Sequence, residues 1–354
     1  MRIRIGSQEV GDNCRPYFIA DIAANHDGDI SRAFSLIELA KEAGADAAKF
    51  QNFKAETIVS DEGFKRIGSQ LSHQKSWTKS VFEVYQDASL PDDWTRRLKA
   101  KCDSVGIEYM TSPYDMSSVD LADTYSNCFK IGSGDITWIE ILEYIAKKGK
   151  PVLLATGASS MDDVKRAMAA ISKHTKKVVL MQCNTNYTAE ESNFKYINLN
   201  VLKSFRTEFP CAVLGLSDHT HGYETVLGAI ALGARVIEKH FTDDNSRQGP
   251  DHKFSMTPKS WREMVDASNR LYLSLGDGVK RVEPNEIDTV KVQRRSLYYV
   301  ENLAAGTRFT QDNAFPLRPS SSLGLEPYKL DDLVGKPLQK AVKKGDLVKV
   351  EDFA

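Results

Sequence analysis

Eight short apolar runs recur along the chain, and each ends in polar residues or glycine. They are YFIADIAANHDG at 17, ADAAKFQ at 45, IEYMTSPYD at 107, CFKIGSGD at 128, PVLLATGASS at 151, VVLMQCNTNY at 178, AVLGLSDHT at 212 and RVIEKHFTD at 235. Segments with helical periodicity lie between most of them, including 31–43, 162–172 and 223–232. Continuous apolar strands that alternate with helices predict a parallel sheet covered by helices, and eight such units indicate a (β/α)8 TIM barrel. The alternative is a doubly wound open sheet, but no GxGxxG follows the first run.

The pattern changes near residue 276. Residues 258–275 read as a helix that completes the barrel, so we predict a barrel domain over 1–276, and the charged stretch 277–289 reads as a linker. A small β-rich unit is predicted over 290–354, with short strands SLYYV at 296 and LVKVEDF at 347. A unit of this size folds only marginally alone, so packing against a partner is expected.

Composition excludes several classes of function. The 47 basic and 48 acidic residues produce no net field that would attract nucleic acid or an anionic membrane. The five cysteines are scattered and show no metal-finger spacing. The N-terminus has no apolar signal region and no run is long enough to span a bilayer, so the sequence predicts a soluble, cytoplasmic protein.

Polar side chains cluster where the predicted strands end. In a (β/α)8 barrel the active site lies at the carboxyl ends of the strands, so these residues are candidates for it. In strand order they are Asp21, Asn25 and His26; Lys49 and Gln51; Ser112; Lys130, Ser133 and Asp135; Thr156; Asn184, Asn186 and Tyr187; Ser217, Asp218 and His219; Glu238, Lys239 and His240.

His219 and His240 end consecutive strands. Neighbouring strands lie about 4.8 Å apart, so the two imidazoles could share one divalent ion and leave positions open for substrate oxygen and water. Alternatively, each is an ordinary hydrogen-bonded barrel histidine. A site with two imidazoles should bind weakly, which favours manganese or another labile divalent ion over structural zinc.

Lys49 and Lys130 suit an anion. With Ser112, Ser133 and Ser217 and the backbone N–H groups of the Gly-Ser-Gly turn at 132, they could bind a phosphate or carboxylate. Two alternatives are open: each lysine pairs with an inward carboxylate, or one forms a Schiff base. The loop QGPDHKFSM at 248 is predicted to cover the barrel mouth, where Asp251 either accepts hydrogen bonds from a polyol or is an ordinary turn residue.

Together these motifs resemble one family. IADIAANHDG, GADAAKFQ, TSPYD, FKIGSGD, LGLSDHT, IEKHFT and GPDHKFSM, followed by the small C-terminal unit, closely resemble the N-acetylneuraminate (sialic acid) synthase family, whose relatives make legionaminic and pseudaminic acids. The resemblance covers nearly the whole chain. It implies a TIM barrel joined to an antifreeze-like, or SAF, domain, assembled as a domain-swapped homodimer. It also implies condensation of phosphoenolpyruvate with an N-acylated hexosamine such as N-acetylmannosamine, giving a nine-carbon 2-keto acid and phosphate.

The resemblance also implies roles for particular residues. His219 and His240 match the family's metal ligands, for manganese or alternatively magnesium or cobalt. Phosphoenolpyruvate-binding positions are matched by Lys49, Lys130, Ser133 and Ser217, beside Ser112. Sugar-side positions are matched by Gln51, Tyr187 and Asp251, and Arg318 matches an arginine that the SAF domain inserts into its partner's site. The implied catalytic set is Asp21, Lys49, Lys130, His219 and His240.

The chain departs from the family pattern at several positions. Asp21 and Asp135 stand where the family usually has glutamate, so the sugar pocket is expected to take a larger or differently substituted hexosamine. Ala155 removes a hydroxyl near the expected phosphate site, and the motif CNTNY makes the roles of Asn184 and Asn186 uncertain.

Three other functions compete with a synthase. A metal-dependent hydrolase barrel commonly has an HxH pair on its first strand, where this chain offers only His26. A Schiff-base aldolase acting on another sugar would be trapped by borohydride. A non-catalytic ice- or carbohydrate-binding protein would have no use for lysines at strand ends.

Overall fold

The computed structural model describes residues 1–70, 74–75, 77–188 and 190–353. The chain forms two compact units, Met1–Gly276 and Asp277–Ala354. Among the described residues, no helix is both long enough and apolar enough to cross a membrane.

The first unit is a barrel that begins with a hairpin. Strands β1 (Arg2–Ile5) and β2 (Gln8–Gly11) pair antiparallel. The eight barrel strands are β3 (Tyr17–Asp21), β4 (Ala47–Asn52), β5 (Glu108–Pro113), β6 (Phe129–Ile131), β7 (Val152–Ala155), β8 (Val178–Cys183), β9 (Val213–Asp218) and β10 (Val236–His240). Their order is β5-β4-β3-β10-β9-β8-β7-β6, every hydrogen-bonded pair is parallel, and β5 lies beside β6. The predicted TIM barrel is therefore confirmed, as a nearly closed barrel.

Helices cover the outside of this barrel. They are α1 (Ile30–Glu42), α2 (Ala55–Ile58), α3 (Asp61–Ile67), α4 (Val81–Ala88), α5 (Asp92–Val105), α6 (Met116–Tyr125), α7 (Ile139–Lys147), α8 (Met161–Ser172), α9 (Val201–Glu208), α10 (Glu224–Ala231) and α11 (Pro258–Ser274). The periodic segments predicted as helices correspond to α1, α8, α10 and α11. Local chemistry explains several starts: Asp29 caps α1, and Pro258 opens α11 after the capping Thr257.

The barrel interior has two levels. At the amino ends of the strands it is apolar, and Ile3, Ile5 and Val10 of the hairpin pack there with inward residues such as Ile19 and Met181. Side chains alternate along each strand, so the inward positions nearer the carboxyl ends form a second, polar level. The hairpin thus closes one end of the barrel, and the functional groups lie toward the other.

In its described residues, the connection between β4 and β5 contains four α-helices. It carries α2, α3, α4 and α5, and α4 begins with a reciprocal capping box between Ser80 and Glu83. Aromatic residues from this connection reach the carboxyl ends of the strands, where they form part of the site described below.

The second unit is built around one short ladder. Helix α12 (Ile287–Gln293) precedes β11 (Ser296–Tyr299), which pairs antiparallel with β12 (Ala314–Leu317). The charged stretch 277–289, predicted as a linker, contains a 3-10 turn (Pro284–Glu286) and the start of α12. The predicted strand LVKVEDF is wrong: it makes only isolated bridges, at Leu347 and Phe353, around a 3-10 turn (Val350–Asp352).

Candidate active site

Four buried charges form a layer inside the barrel, just below the carboxyl ends of the strands. Asp21 and Lys49 are register partners on β3 and β4, and Asp21 Oδ2 lies 2.6 Å from Lys49 Nζ. Across the barrel, Lys130 Nζ on β6 lies 3.3 Å from Glu238 Oε1 on β10. The hydroxyl of Ser217 donates to the same Glu238 oxygen at 3.0 Å. Both lysines therefore pair with inward carboxylates, which is one of the alternatives that the sequence left open.

The pKa directions indicate that Glu238 and Lys49 are charged. Burial tends to raise the pKa of Glu238, but the ammonium groups of Lys130 and Lys49 outweigh it and lower that pKa to about 2. Burial tends to lower the pKa of Lys49, but the carboxylates of Asp21 and Glu238 keep it above its ordinary value. Burial raises the pKa of Asp21, although the positive charge of the nearby Lys49 acts to lower it.

His219 and His240 lie side by side at the mouth of the barrel. Their ring centroids are 5.5 Å apart, and Tyr187 packs edge-on against His219 at 4.3 Å. Burial lowers the pKa of both to about 3; the His240 ring adds to this at His219, and the Lys49 ammonium adds to it at His240. Both rings are therefore neutral at pH 7 and carry a lone pair.

Each of the two rings presents a nitrogen donor at the barrel mouth. His219 Nδ1 lies 2.9 Å from the carbonyl oxygen of Asn184; a proton there would be donated to that oxygen, leaving Nε2 as the electron-pair donor. His240 Nδ1 is buried and has no hydrogen-bond partner among the described residues. In the part of the chain that the structure describes, no three His, Cys, Asp or Glu residues are grouped to share an ion. The two imidazoles are therefore the nitrogen donors there, and the carboxylate of Asp21, 3.6 Å from His240 Nε2, is paired with Lys49.

Three serines, Ser112, Ser133 and Ser217, face the same end of the barrel. Ser112 Oγ on β5 is buried without a hydrogen-bond partner among the described residues. Ser133 Oγ accepts from the backbone N–H of Gly157 at 2.9 Å. Gly157 is needed for this approach, because an added Cβ would lie 2.9 Å from that hydroxyl. By contrast, Thr156 donates to the Met181 carbonyl at 2.9 Å and is occupied by the strand backbone.

A cavity of 160 Å³ lies above the charged layer. It is lined by Ala24, Gln51, Phe53, Trp77, Val84, Tyr85, Ala88, Tyr114, Tyr187, His240, Pro250 and Asp251. It therefore brings together Gln51, Tyr187 and Asp251, three of the six residues predicted for the sugar side, the others being Asp21, Asp135 and Arg318. Asp135 is not among the described lining residues. A larger cleft of 1140 Å³ shares six lining residues with this cavity: Ala24, Trp77, Val84, Ala88, Tyr187 and Pro250.

Two carboxyl groups here have raised pKa values. Burial raises the pKa of Asp251 to about 7; the backbone N–H of Ala24, which donates to its Oδ2 at 3.2 Å, opposes this. Burial also raises the pKa of Asp135 to about 6, against the Lys130 ammonium. Asp251 can therefore gain or lose a proton near neutral pH at the cavity wall.

The aromatic wall was missed by sequence reasoning. Phe53, Trp77 and Tyr85 come from the connection between β4 and β5, whose chemistry the motifs do not indicate. The available signal was the unusual length of this connection together with its aromatic residues.

Several predicted candidates do not face the cavity. Asp218 and Lys239 form an ion pair of 2.5 Å. They alternate along β9 and β10 with the residues that face the barrel interior, so they face outward. Asn25 donates to the Phe241 carbonyl and to Ser255, and His26 Nδ1 accepts from the backbone N–H of Gly28. Both side chains therefore stabilise the loop after β3. The side chains of Asn184 and Asn186 likewise bond within the loop after β8. Arg318 belongs to the second unit, where its Nε donates to the Gln293 carbonyl at 2.7 Å.

Known proteins resemble this chain in sequence and in fold. The family model for the NeuB family matches residues 36–280, and the model for the SAF domain matches residues 294–354. The N,N'-diacetyllegionaminic acid synthase of Campylobacter jejuni is 33% identical over 335 residues, covering 94% of this chain and 98% of that protein. The N-acetylneuraminate-9-phosphate synthase of Homo sapiens is 30% identical over 343 residues, covering 97% and 94%. The crystal structure of N-acetylneuraminic acid (sialic acid) synthetase from Leptospira borgpetersenii, in complex with citrate, superposes with a TM-score of 0.72 at 27% identity, covering 82% of this chain and 95% of that one.

Proposed function

The chain belongs to the NeuB family, and on that premise we propose that it condenses phosphoenolpyruvate with an N-acylated hexosamine and water, giving a nine-carbon 2-keto sugar acid and phosphate. One observation carries the proposal: two buried lysines and three serines lie directly below two neutral histidines and a cavity lined by the sugar-side residues. This arrangement offers an anion site and a neutral-sugar site within one barrel.

Lys49 and Lys130 are the groups proposed to hold phosphoenolpyruvate. An ammonium group has three N–H donors, and the described bonds of Lys49 Nζ use only the one toward Asp21. Donors therefore stay available for a carboxylate or phosphate without breaking the pair. The unpartnered Ser112 hydroxyl and the hydroxyls of Ser133 and Ser217 would add hydrogen bonds from the facing strands.

His219 and His240 are the residues proposed to hold a divalent ion, manganese first, with magnesium or cobalt as alternatives. Bound there, the ion would polarise the aldehyde of the open-chain sugar. Two imidazoles without a carboxylate ligand predict weak binding that a chelator reverses. Tyr187, packed edge-on against His219, would help to keep that ring in place.

The reaction requires the two substrates to be held in one geometry. C3 of phosphoenolpyruvate forms the new bond to the aldehyde carbon, the water oxygen bonds to C2, and the C2–O bond to phosphate breaks. The two protons of water end on the new hydroxyl and on phosphate. Fixing the reacting carbons against each other accounts for much of such a rate enhancement. Asp251, whose carboxyl pKa is raised to about 7, can hold a proton at the cavity wall.

The test is phosphate release with manganese present. Three acceptors are supplied in parallel: N-acetylmannosamine, its 2,4-diacetamido-trideoxy analogue for legionaminate, and the corresponding altrose sugar for pseudaminate. We expect release with one of them and only when both substrates are present. Release without an acceptor, or none with any acceptor, would contradict the proposal. Trapping by borohydride with pyruvate after metal removal would instead identify a Schiff-base aldolase.

We also propose that the enzyme is a cytoplasmic, domain-swapped homodimer in which Arg318 enters the partner's site. The second unit of this chain supports the proposal. It has a small core, and Phe315 and Leu317, beside Arg318, are exposed, as expected of a surface that packs against a partner. Light scattering should show a dimer, and Arg318→Ala should lower turnover without changing the dimer. Wild-type kinetics in Arg318→Ala would contradict the swap.

A further inference from the structure

His252 is completely buried, and its ring joins two loops at the barrel mouth. His252 Nε2 lies 2.9 Å from Asp27 Oδ1, in the loop after β3. His252 Nδ1 lies 2.7 Å from Thr242 Oγ1, at the start of the loop after β10. A neutral ring with its proton on Nε2 satisfies both contacts, donating to Asp27 and accepting from Thr242. We call Asp27, Thr242 and His252 the loop latch.

The latch has the residue types of a hydrolytic triad but not its exposure. Thr242 and His252 both have no exposed surface, so no substrate carbonyl could reach the threonine hydroxyl. A nucleophile must be within reach of the bond that it attacks. The three residues therefore act on the position of the loops, not on a substrate.

Asp27 is held from both sides. Its Oδ2 lies 3.1 Å from Arg32 Nε and 3.0 Å from Arg247 in the second loop, while Oδ1 engages His252. Asp27 has a φ of 51°, a left-handed conformation that costs energy for a residue with a side chain. Contacts on both carboxylate oxygens offset that cost and bind the second loop to the first at two points.

The segment that the latch holds is a wall of the sugar-side cavity. Pro250 and Asp251 immediately precede His252, and both line the cavity with Ala24 of the first loop. Asp251 Oδ2 accepts from the Ala24 N–H at 3.2 Å. Gly249 packs so closely on the His252 ring that an added Cβ would lie 2.6 Å from a ring carbon. The His252 ring therefore packs directly against the loop that contains Gly249, Pro250 and Asp251.

We propose that Asp27 and His252 are positioning residues for the acceptor sugar: they hold Asp251 and Pro250 in the cavity wall before the sugar binds. The inference rests on the proposed function in that the occupant of this wall is the acceptor. A loop that is already ordered adds no ordering cost to binding. Loosening the latch should therefore weaken acceptor binding and leave phosphoenolpyruvate, held by the layer below, almost unaffected.

The test compares His252→Ala, His252→Gln and Asp27→Asn in the full-length protein. Glutamine keeps an N–H donor toward Asp27, and asparagine keeps the volume of aspartate while removing its charge. Asp46→Asn is the matched control, because Asp46 is also a buried carboxylate that joins an arginine, Arg15, to a backbone N–H, but at the amino ends of the strands. Both Michaelis constants are measured, together with hydrogen exchange of the Ala24 amide, which donates to Asp251, in the absence of substrates.

We expect His252→Ala to raise the acceptor KM by about tenfold, to change the phosphoenolpyruvate KM by less than about twofold, and to speed exchange of the Ala24 amide. Asp27→Asn should act in the same direction, His252→Gln should recover part of the loss, and Asp46→Asn should change neither KM. Equal rises in both constants, a loss in kcat alone, or unchanged exchange would overturn the inference. If His252→Ala does not fold, Asp27→Asn decides. A wild-type protein inert with every acceptor would refute the proposed function instead, and the exchange result would still decide whether the latch orders the loop.

Discussion

Replacing Lys239 by methionine should destabilise the barrel without removing a group that faces the cavity. Lys239 Nζ lies 2.5 Å from Asp218 Oδ2 and 2.7 Å from the Thr220 carbonyl oxygen, and both ionic side chains are 1% exposed. Methionine fills much of the same volume but leaves the carboxylate buried without its counter-charge. Removing one partner of such a pair costs about 3–5 kcal/mol. The hydroxyl of Thr225 still donates to Asp218, which favours the lower end of that range.

Thermal unfolding followed by circular dichroism measures this loss. For a unit of this size, about 3 kcal/mol corresponds to a fall in Tm of about 6–12 °C. Burial alone would raise the pKa of Asp218, but the Lys239 ammonium holds it below its ordinary value. The pair therefore stabilises the fold above the ordinary aspartate pKa, and the difference between variant and wild type should shrink as pH falls through the folded-state pKa.

The matched control is Lys173→Met. Lys173 lies 2.7 Å from Glu143, but its side chain is 62% exposed, so breaking this pair should cost less than about 1 kcal/mol. Below its melting temperature, Lys239→Met should retain turnover. A variant as stable as Lys173→Met would refute the buried-pair argument, and a stable variant without turnover would place Lys239 in the site.

Three further predictions concern the site itself. His219→Ala and His240→Ala should each abolish turnover with an unchanged circular dichroism spectrum and weaken manganese binding by at least about tenfold in electron paramagnetic resonance titrations; full activity with a chelator present would contradict this. Lys49→Met should lower phosphate release by at least about 100-fold, because a preorganised cation is lost, and wild-type rates would reject the anion site. Burial raises the pKa of Asp135 to about 6, so the ionised carboxylate costs the folded protein stability as pH rises from about 4 to 6. Asp135→Asn should therefore raise the free energy of unfolding by at most about 3 kcal/mol at pH 7.5 and hardly at pH 4. Equal effects at both pH values would count against this pKa.

The barrel could be predicted because both faces of each strand are buried. Strands of that kind read as continuous apolar runs, so their number and order were visible in the sequence. The same continuity hides which side each residue faces. Strand parity could have helped: if His240 faces inward, Glu238 does too and Lys239 faces outward, and in the structure Glu238 pairs with Lys130 whereas Lys239 pairs with Asp218.

Contacts between distant segments could not be predicted. His252 lies in the loop predicted at 248, and nothing near it in the sequence indicates its partner Asp27, which is 225 positions away. The aromatic wall could not be predicted for the same reason, since Phe53, Trp77 and Tyr85 lie in one cavity with Asp251 only in the folded barrel. In the second unit, the alternation of LVKVEDF suggested a strand, but its residues pair through isolated bridges instead.

The paired lysines reconcile two explanations that the sequence set against each other. Two unpaired ammonium groups inside a barrel would carry a large desolvation cost, and Asp21 and Glu238 remove most of it by making the layer neutral. A neutral layer attracts an anion weakly, so under the proposed function phosphoenolpyruvate would add uncompensated negative charge. A divalent ion at His219 and His240 would supply the compensation, and linkage requires each ligand to strengthen binding of the other. The carboxylates that allow the lysines to be buried would therefore also make anion binding depend on the cation.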